Sequence, residues 1–100
     1  MEAATAAAFA VPVDELRAPS RAPAVAFARQ CAMYLAHVVF SLRYSEIGRL
    51  FRRDRTTAAY ACTLIEERRD DAAIDRVLHT LESLCGDLAR GMLSRPQVRP

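Results

Sequence analysis

The sequence lacks lysine and tryptophan, and it has only 3 glycines, 5 prolines and 7 aromatic residues among 100. A β-sandwich or barrel needs many turn formers and β-branched residues, so this composition argues against both. Alanine, the strongest helix former, instead occupies 19 positions. Because 100 residues suffice for one domain, we expect a small, single-domain, all-α protein.

The cysteines and histidines show no pattern typical of a disulfide scaffold or a metal site. Cys31, Cys62 and Cys85 include no C-x-x-C pair, and each lies in an apolar helical pattern, so we expect buried, unreactive thiols. His37 and His79 lack zinc-ligand spacing. No pair of nucleophile and base stands out. We therefore expect no metal, no cofactor and no enzymatic activity.

Long hydrophobic runs are also missing. The longest, Cys31 to Phe40, has ten residues, about half of what a bilayer-spanning helix needs. The alanine-rich start of the chain carries Glu2 and no basic n-region, so a signal peptide is not expected. These features predict a cytoplasmic protein without a membrane segment.

The 14 basic residues are all arginine, and 12 acids leave a net charge of +2. Arginine suits phosphates and guanine edges, but codon usage in a GC-rich genome also enriches arginine and alanine, so the distribution has to decide. Residues 43–57 hold five arginines against two acids, whereas residues 66–71 hold four acids against two arginines. The near-neutral net charge is an average over a basic and an acidic segment.

Prolines and hydrophobic spacing divide the chain into three parts. We expect a flexible arm over residues 1–23, a helical domain over residues 24–94 and a frayed tail over residues 95–100. Apolar residues at i, i+3/i+4 and i+7 predict helices over residues 24–42, 46–51, 55–68 and 72–89. The acids of residues 66–71 are expected to pair with Arg68 and Arg69.

The ends and inner faces of these helices are also predicted. Ser45 and Asp54 are suited to be N-caps, and Gly91 a C-terminal stop. The inner face of the third helix is predicted to be formed by small residues and that of the last by larger ones: Ala58, Ala61, Cys62 and Ile65, then Ile74, Val77, Leu78, Leu81, Leu84, Cys85 and Leu88.

The second and third predicted helices have the features of a helix-turn-helix. Arg52 and Arg53 form a tight basic turn, polar residues begin the third helix, and small apolar residues lie behind it. In such motifs the N-terminal side chains of the second helix reach base edges, and the turn contacts phosphates. Arg55 can form a bidentate contact with guanine. Asp54 has two open interpretations, a helix cap or an acceptor for a cytosine amino group.

Residues 28–71 carry a family pattern: Arg29-Gln30 opens the first helix, Glu46-Ile47-Gly48 precedes Phe51, and Arg53-Asp54-Arg55-Thr56-Thr57 precedes an alanine- and cysteine-containing helix. This stretch closely resembles the C-terminal DNA-binding domain (domain IV) of the bacterial replication initiator DnaA, whose signature is G-G-R-D-H-T-T-V. The resemblance implies a TrpR-like helical fold that binds double-stranded DNA.

The resemblance also implies roles for single residues. Asp54, Thr56 and Thr57 match base-contacting positions, and Arg55 replaces the family histidine there. The remaining interface candidates match positions near the DNA backbone or minor groove, or belong to the basic segment: Arg21, Arg29, His37, Arg43, Ser45, Arg49, Arg52 and Arg53. Among these, Arg21 is placed by an ungapped count, His37 replaces a lysine, and Ser45 replaces a proline.

Two departures from the family pattern shape the functional hypotheses. Arg52 alone stands where the family has two glycines, which predicts a shorter, more basic turn. No G-x-x-x-x-G-K-[ST] motif occurs, so we expect no ATP binding.

The leading hypothesis is therefore a stand-alone transcriptional regulator. Relatives that activate gene transfer agent operons suggest RNA polymerase, or a sigma- or omega-like protein, as a partner. The alternatives are a replication-control protein that competes for DnaA boxes and a helical protein-interaction module.

Overall fold

The computed structural model describes residues 22–94, and the side chains of residues 22–91. This part of the chain forms four helices and no strand, which confirms the all-α prediction. They are α1 (Pro23–Val38), α2 (Tyr44–Phe51), α3 (Arg55–Arg68) and α4 (Ala72–Ser94). The predicted arm and tail lie outside the described residues, except that Ala22 is the N-cap of α1 and Pro23 is its first residue.

Helix α1 is the central element of the fold. Pro23 stands in its first turn, where the missing N–H is not needed. The helix ends at Val38, four residues before the predicted end at Leu42, because the chain reverses at Ser41, which has a φ of 56°. The amide of Leu42 then donates to the Ala36 carbonyl at 3.1 Å. A serine in the left-handed region gives no signal in the sequence.

Two hydrophobic clusters lie on either side of α1. One joins it to α2 and α3 through large side chains such as Met33, Ile47 and Phe51. The other joins it to α3 and α4 through residues such as Leu35 and Ile65. The predicted inner face of α3 is confirmed as buried: Ala58, Ala61, Cys62 and Ile65. The small side chains of Ala58, Ala61 and Cys62 allow close approach to α1.

Helix α2 begins earlier than expected, at Tyr44. Arg43 occupies the N-cap position, and its amide donates to Glu46 Oε1 at 2.8 Å. That hydrogen bond lowers the pKa of Glu46. The prediction of Ser45 as N-cap is wrong, because Ser45 lies in the first turn of α2 and Glu46 satisfies the N-cap amide.

Helix α4 departs most from prediction. Its inner face is narrower than the apolar pattern suggested, since Val77, Leu84 and Leu88 are 41%, 51% and 55% exposed. The residues it buries are Leu78, Leu81 and Cys85. The helix also continues through Gly91 to Ser94, so Gly91 is not a stop. An apolar pocket of about 150 Å³ lies where α4 meets the start of α1, lined by Phe27, Ala73, Ile74, Val77 and Leu78.

A polar network around Arg69 joins α3 to its neighbours. Arg69 donates from Nε to Asp75 Oδ1 at 2.6 Å and from Nη1 to Glu82 Oε2 at 2.8 Å, both on α4. It also donates to the Tyr34 hydroxyl of α1 at 3.0 Å. Burial alone would lower the pKa of Arg69, but these hydrogen bonds outweigh it and raise that pKa.

The acids of residues 66–71 are therefore not the partners of Arg69, contrary to the prediction. The salt bridges of Arg69 are made with Asp75 and Glu82, because α4 folds back against the end of α3. Arg68 instead lies over the ring of Phe27, with its Cζ 5.1 Å from the ring centroid. The salt-bridge partners of Arg69 thus lie on the next helix and not among the acids adjacent to it in the sequence.

Candidate nucleic-acid interface

Helix α3 begins with a well-formed cap. Asp54 has extended backbone angles, φ −85° and ψ 170°, and its Oδ1 accepts from the Thr57 amide at 2.8 Å. Hydrogen bonds from the amide and hydroxyl of Thr57 hold the pKa of Asp54 below its usual value. The capping interpretation of Asp54 is confirmed, while its contact with a base stays a prediction. The carboxylate therefore holds the backbone of the first turn of α3 in place.

The first turn of α3 presents three polar side chains to solvent. Arg55, Thr56 and Thr57 are all exposed, whereas Ala58, the next residue, is fully buried. Ala58 and Ala61 hold the inner side of the helix against the body of the protein. Donors, acceptors and methyl groups are therefore displayed on a rigid element whose opposite side is packed.

The turn between α2 and α3 depends on a close backbone contact. The Arg53 amide donates to the Gly48 carbonyl at 2.7 Å. A Cβ at Gly48 would lie 2.6 Å from the Arg53 carbonyl oxygen and 2.9 Å from the carbonyl carbon of Asp54. Because a real Cβ cannot come that close to backbone atoms, only glycine allows α2 and the turn to meet here.

Arg52, which stands alone where the family pattern has two glycines, reverses the chain between α2 and α3. It ends α2 in the left-handed region, at φ 59° and ψ 42°, and its side chain is exposed. Arg53 is half-buried, and its Nη1 donates to the Phe51 carbonyl at 2.9 Å. The short basic turn thus places one guanidinium in solvent and another against the backbone.

Arg29 lies deeper than its predicted role suggests. This α1 residue is only 8% exposed. Burial and the nearby charge of Arg53 lower the pKa of its guanidinium. Two arginines, one from α1 and one from the turn, therefore concentrate positive charge beside the start of α3. A DNA contact by Arg29 stays a prediction, and it would use the small part of the side chain that remains accessible.

The remaining candidates lie before or within α2. Arg43 and Arg49 are exposed, and Arg43 forms a surface ion pair with Glu46 at 3.4 Å. Ser45 is half-buried in the first turn. His37 is half-buried as well, and its Nδ1 lies 3.0 Å from the Leu42 carbonyl, which identifies Nδ1 as the protonated nitrogen.

The structure thus groups some of the predicted site residues and separates others. Residues 52–57 form one continuous surface from the turn into α3. Arg29 is withdrawn into the body, and His37 stacks on Tyr44 at a ring distance of 4.5 Å. Arg21 lies outside the described residues. The contacts of all these residues with DNA remain predictions.

The sequence carries only weak signals for the positions of two residues in this region, Gly48 and Tyr60. Gly48 appeared only as a motif letter, although a glycine inside a short helix can indicate close backbone approach. The sequence signal of Tyr60 is its position four residues after Thr56, the spacing that puts two side chains on one helix face. Tyr60 is 63% exposed.

Other kinds of site find no support in the described part of the chain. Across residues 22–94, His, Cys, Asp and Glu side chains form no group of three or more that could hold a metal ion. Within the same range, each helix is either too short or too polar to cross a bilayer.

Comparison with known proteins relates this surface to one family. A family model described as the bacterial dnaA protein helix-turn-helix matches residues 1–65. The chromosomal replication initiator proteins DnaA of Clavibacter sepedonicus and Clavibacter michiganensis are each 49% identical over 70 residues, which cover 65% of this chain and 15% of the relative. DnaA of Mycobacteroides abscessus is 48% identical over 59 residues, which cover 59% of this chain and 12% of that protein.

The matched region contains the features described above. It spans α1, α2, the turn with Arg52 and Arg53, and most of α3. The chain corresponds to no more than 15% of the length of these relatives, so the match concerns one region of a much longer protein. Because the family model covers well over half of its residues, the chain belongs to the bacterial DnaA helix-turn-helix family.

Proposed function

We propose that this protein binds double-stranded DNA in a sequence-specific manner and regulates transcription. The observation that supports this function best is the first turn of α3, where Arg55, Thr56 and Thr57 are exposed and Asp54 fixes the backbone. In helix-turn-helix proteins these N-terminal side chains read base edges in the major groove. The family membership supports the same placement on DNA.

Base reading is assigned to the N-cap Asp54 and the first three residues of α3. Arg55 can donate two hydrogen bonds to guanine O6 and N7, a contact that discriminates by about 1–3 kcal/mol. The Thr56 hydroxyl can bond to a base, and the Thr57 hydroxyl, which donates to Asp54, can still accept from one. The methyl groups of both threonines can contact thymine. Asp54 already accepts from Thr57, so any contact with a cytosine amino group is made by a side chain that is held in place.

Backbone contacts are assigned to the surrounding basic side chains. Arg52, Arg43 and Arg49 are exposed and can donate to phosphates. Arg53 and Arg29 add positive charge to this region. The two guanidiniums are close enough that the charge of Arg53 lowers the pKa of Arg29. Phosphate contacts hold the register of a protein on DNA without reading sequence. The other assigned residues are His37 and Ser45 near the backbone and Arg21 in the minor groove.

The proposed role is regulatory and not enzymatic. A DNA-binding protein of this type would act in the cytoplasm, on the nucleoid, without a cofactor or ATP. RNA polymerase, or a sigma- or omega-like subunit, is the proposed partner, because a transcription activator has to couple its DNA site to the polymerase. Activation of gene transfer agent genes is one form that this regulation can take.

The experiment combines selection and mutagenesis. The full chain is used to select duplexes from a random library, and affinity is then measured on a selected duplex and a shuffled one over a range of salt concentrations. We expect Arg55→Ala to reduce the preference for the selected duplex. Arg52→Ala should weaken both duplexes alike and lower the salt slope by about one. Equal binding of the unmodified chain to selected and shuffled duplexes would refute sequence specificity.

A second candidate function is competition for DnaA boxes at the replication origin. The 49% identity to a chromosomal replication initiator over 70 residues favours it. Arg55, which replaces the family histidine, argues for a different preferred sequence. Genome-wide occupancy separates the two functions, because peaks confined to the origin indicate replication control and peaks at promoters indicate transcription.

A further inference from the structure

Tyr60 is unusual among the aromatic residues of the described chain. It is 63% exposed, whereas the other aromatic side chains within residues 22–91 are buried or half-buried. Its neighbours Ala58 and Ala61 are buried, so the ring projects from the side of α3 that faces away from the core. Tyrosine combines an apolar ring with a polar hydroxyl, a combination enriched where a surface meets a partner.

Tyr60 shares a face with the proposed base-reading residues. At 3.6 residues per turn, it lies about 40° around α3 from Thr56 and about 6 Å further along the axis. Thr63 comes next on this face, but its hydroxyl bonds to the Ala59 carbonyl at 3.2 Å. Tyr60 is therefore well placed to donate a hydrogen bond outward from the second turn.

The distribution of charge along α3 differs between its first and last turns. Between Arg55 and Leu64 the helix carries no acidic residue, and the exposed acids Glu66 and Glu67 follow in its last turns. Phosphates are attracted to the first part and repelled by the second. These charges favour contact of a duplex with the first two turns of α3, where Tyr60 lies.

We propose that Tyr60 is a further DNA-contacting residue, whose hydroxyl donates to a phosphate on the wall of the major groove while its ring packs against the adjacent sugar. This proposal rests on the proposed function. A helix that enters the groove by its N-terminus reads bases with its first turn. The following turn leads toward the backbone, where tyrosine hydroxyls are among the common phosphate donors.

The experiment measures the affinity of the full chain for a duplex that the unmodified chain selects from a random library, and for a shuffled duplex of equal length. We expect Tyr60→Phe, which removes only the hydroxyl, to weaken both duplexes by about tenfold, as is typical of a hydrogen bond to a charged group. Tyr60→Ala should reduce the affinity for both duplexes by at least the same factor. The salt slope should stay unchanged, since the phenol carries no charge.

A matched control is Leu88→Ala, which truncates a comparably exposed side chain, 55% exposed, on α4. It should retain full affinity. Circular dichroism and thermal unfolding should show that each variant keeps the helical fold, because Tyr60 takes no part in the buried clusters.

Each remaining outcome overturns a defined claim. If the unmodified chain binds and Tyr60→Phe binds equally well, the phosphate contact of Tyr60 is refuted while the proposed function stands. If the loss affects only the selected duplex, Tyr60 reads a base and the proposed phosphate contact is wrong. If the unmodified chain binds neither duplex, the proposed function fails, and the role of Tyr60 fails with it.

Discussion

Gly48 and Arg53 are joined by a hydrogen bond of 2.7 Å from the Arg53 amide to the Gly48 carbonyl. The Arg53 carbonyl oxygen also lies only 2.6 Å from the point that a Cβ at position 48 would occupy. This contact sets how closely α2 approaches the turn, and thereby the angle at which α3 leaves it.

Gly48→Ala should destabilise the protein by about 1–3 kcal/mol, because the new Cβ forces backbone atoms apart. The better helix propensity of alanine offsets only part of this loss. Urea unfolding monitored by circular dichroism measures the change. Gly86→Ala is the matched control, since its Cβ would meet only the end of the Arg90 side chain, at 3.3 Å. This control should be neutral or stabilising by up to about 1 kcal/mol, and equal losses in both variants would contradict the contact argument.

Arg52→Gly should separate stability from DNA binding. Arg52 adopts φ 59°, a conformation that costs a non-glycine residue about 1–2 kcal/mol. Glycine relieves this strain, so the midpoint of thermal unfolding should stay equal or rise while affinity for all duplexes falls. Arg52→Ala keeps the strain and removes the charge, so it should lose affinity without the gain in stability. A lower unfolding midpoint for Arg52→Gly than for Arg52→Ala would count against the strain.

Asp54 should make stability depend on acid pH. Hydrogen bonds from Thr57 lower the pKa of Asp54 in the folded state, so the carboxylate favours folding above its unfolded pKa of about 3.9. That contribution is lost as the pH falls through the lower folded pKa. Asp54→Asn retains an oxygen acceptor but cannot titrate, so its unfolding midpoint should respond less to pH in this acid range. An unchanged pH response would show that the cap does not couple to protonation.

The Arg69 network should stabilise the packing of α4. Arg69→Met would leave the hydroxyl of Tyr34 and the carboxylates of Asp75 and Glu82 without this donor, and we expect a loss of about 1–3 kcal/mol in the free energy of unfolding. The surface pair of Arg90 and Asp87 is the control, because its side chains are 72% and 68% exposed. Arg90→Ala should cost at most about 0.5 kcal/mol. Similar losses for both would refute a special role for the network.

The three thiols should resist alkylation in the folded state. Burial raises the pKa of Cys31 to about 12 and that of Cys62 to about 11, and it also raises the pKa of Cys85. At pH 8 the reactive thiolate is therefore scarce and shielded. Mass spectrometry after iodoacetamide treatment should show an unmodified native chain and three modified cysteines in urea. Rapid modification of the native chain would contradict their burial.

The sequence by itself determined the helices and the signature surface. Spacing of apolar residues predicted four helices, because amphipathic periodicity is a local property. It also predicted the cap at Asp54 and the buried side of α3, where apolar residues recur at helical spacing: Ala58, Ala61, Cys62 and Ile65. The order of motif residues across residues 28–71, from Arg29-Gln30 to Thr57, indicated the family.

Only the tertiary structure decided which side chains meet. Arg29 is buried, Arg69 pairs across helices with Asp75 and Glu82, and three of the seven residues of the apolar stripe of α4 remain exposed. The ends of α1 and α2 also differ from the prediction, because Ser41 takes a left-handed conformation and Glu46 satisfies the Arg43 amide. Pairings between distant segments and strained backbone angles depend on how the helices pack, so they leave no periodic signal in the chain.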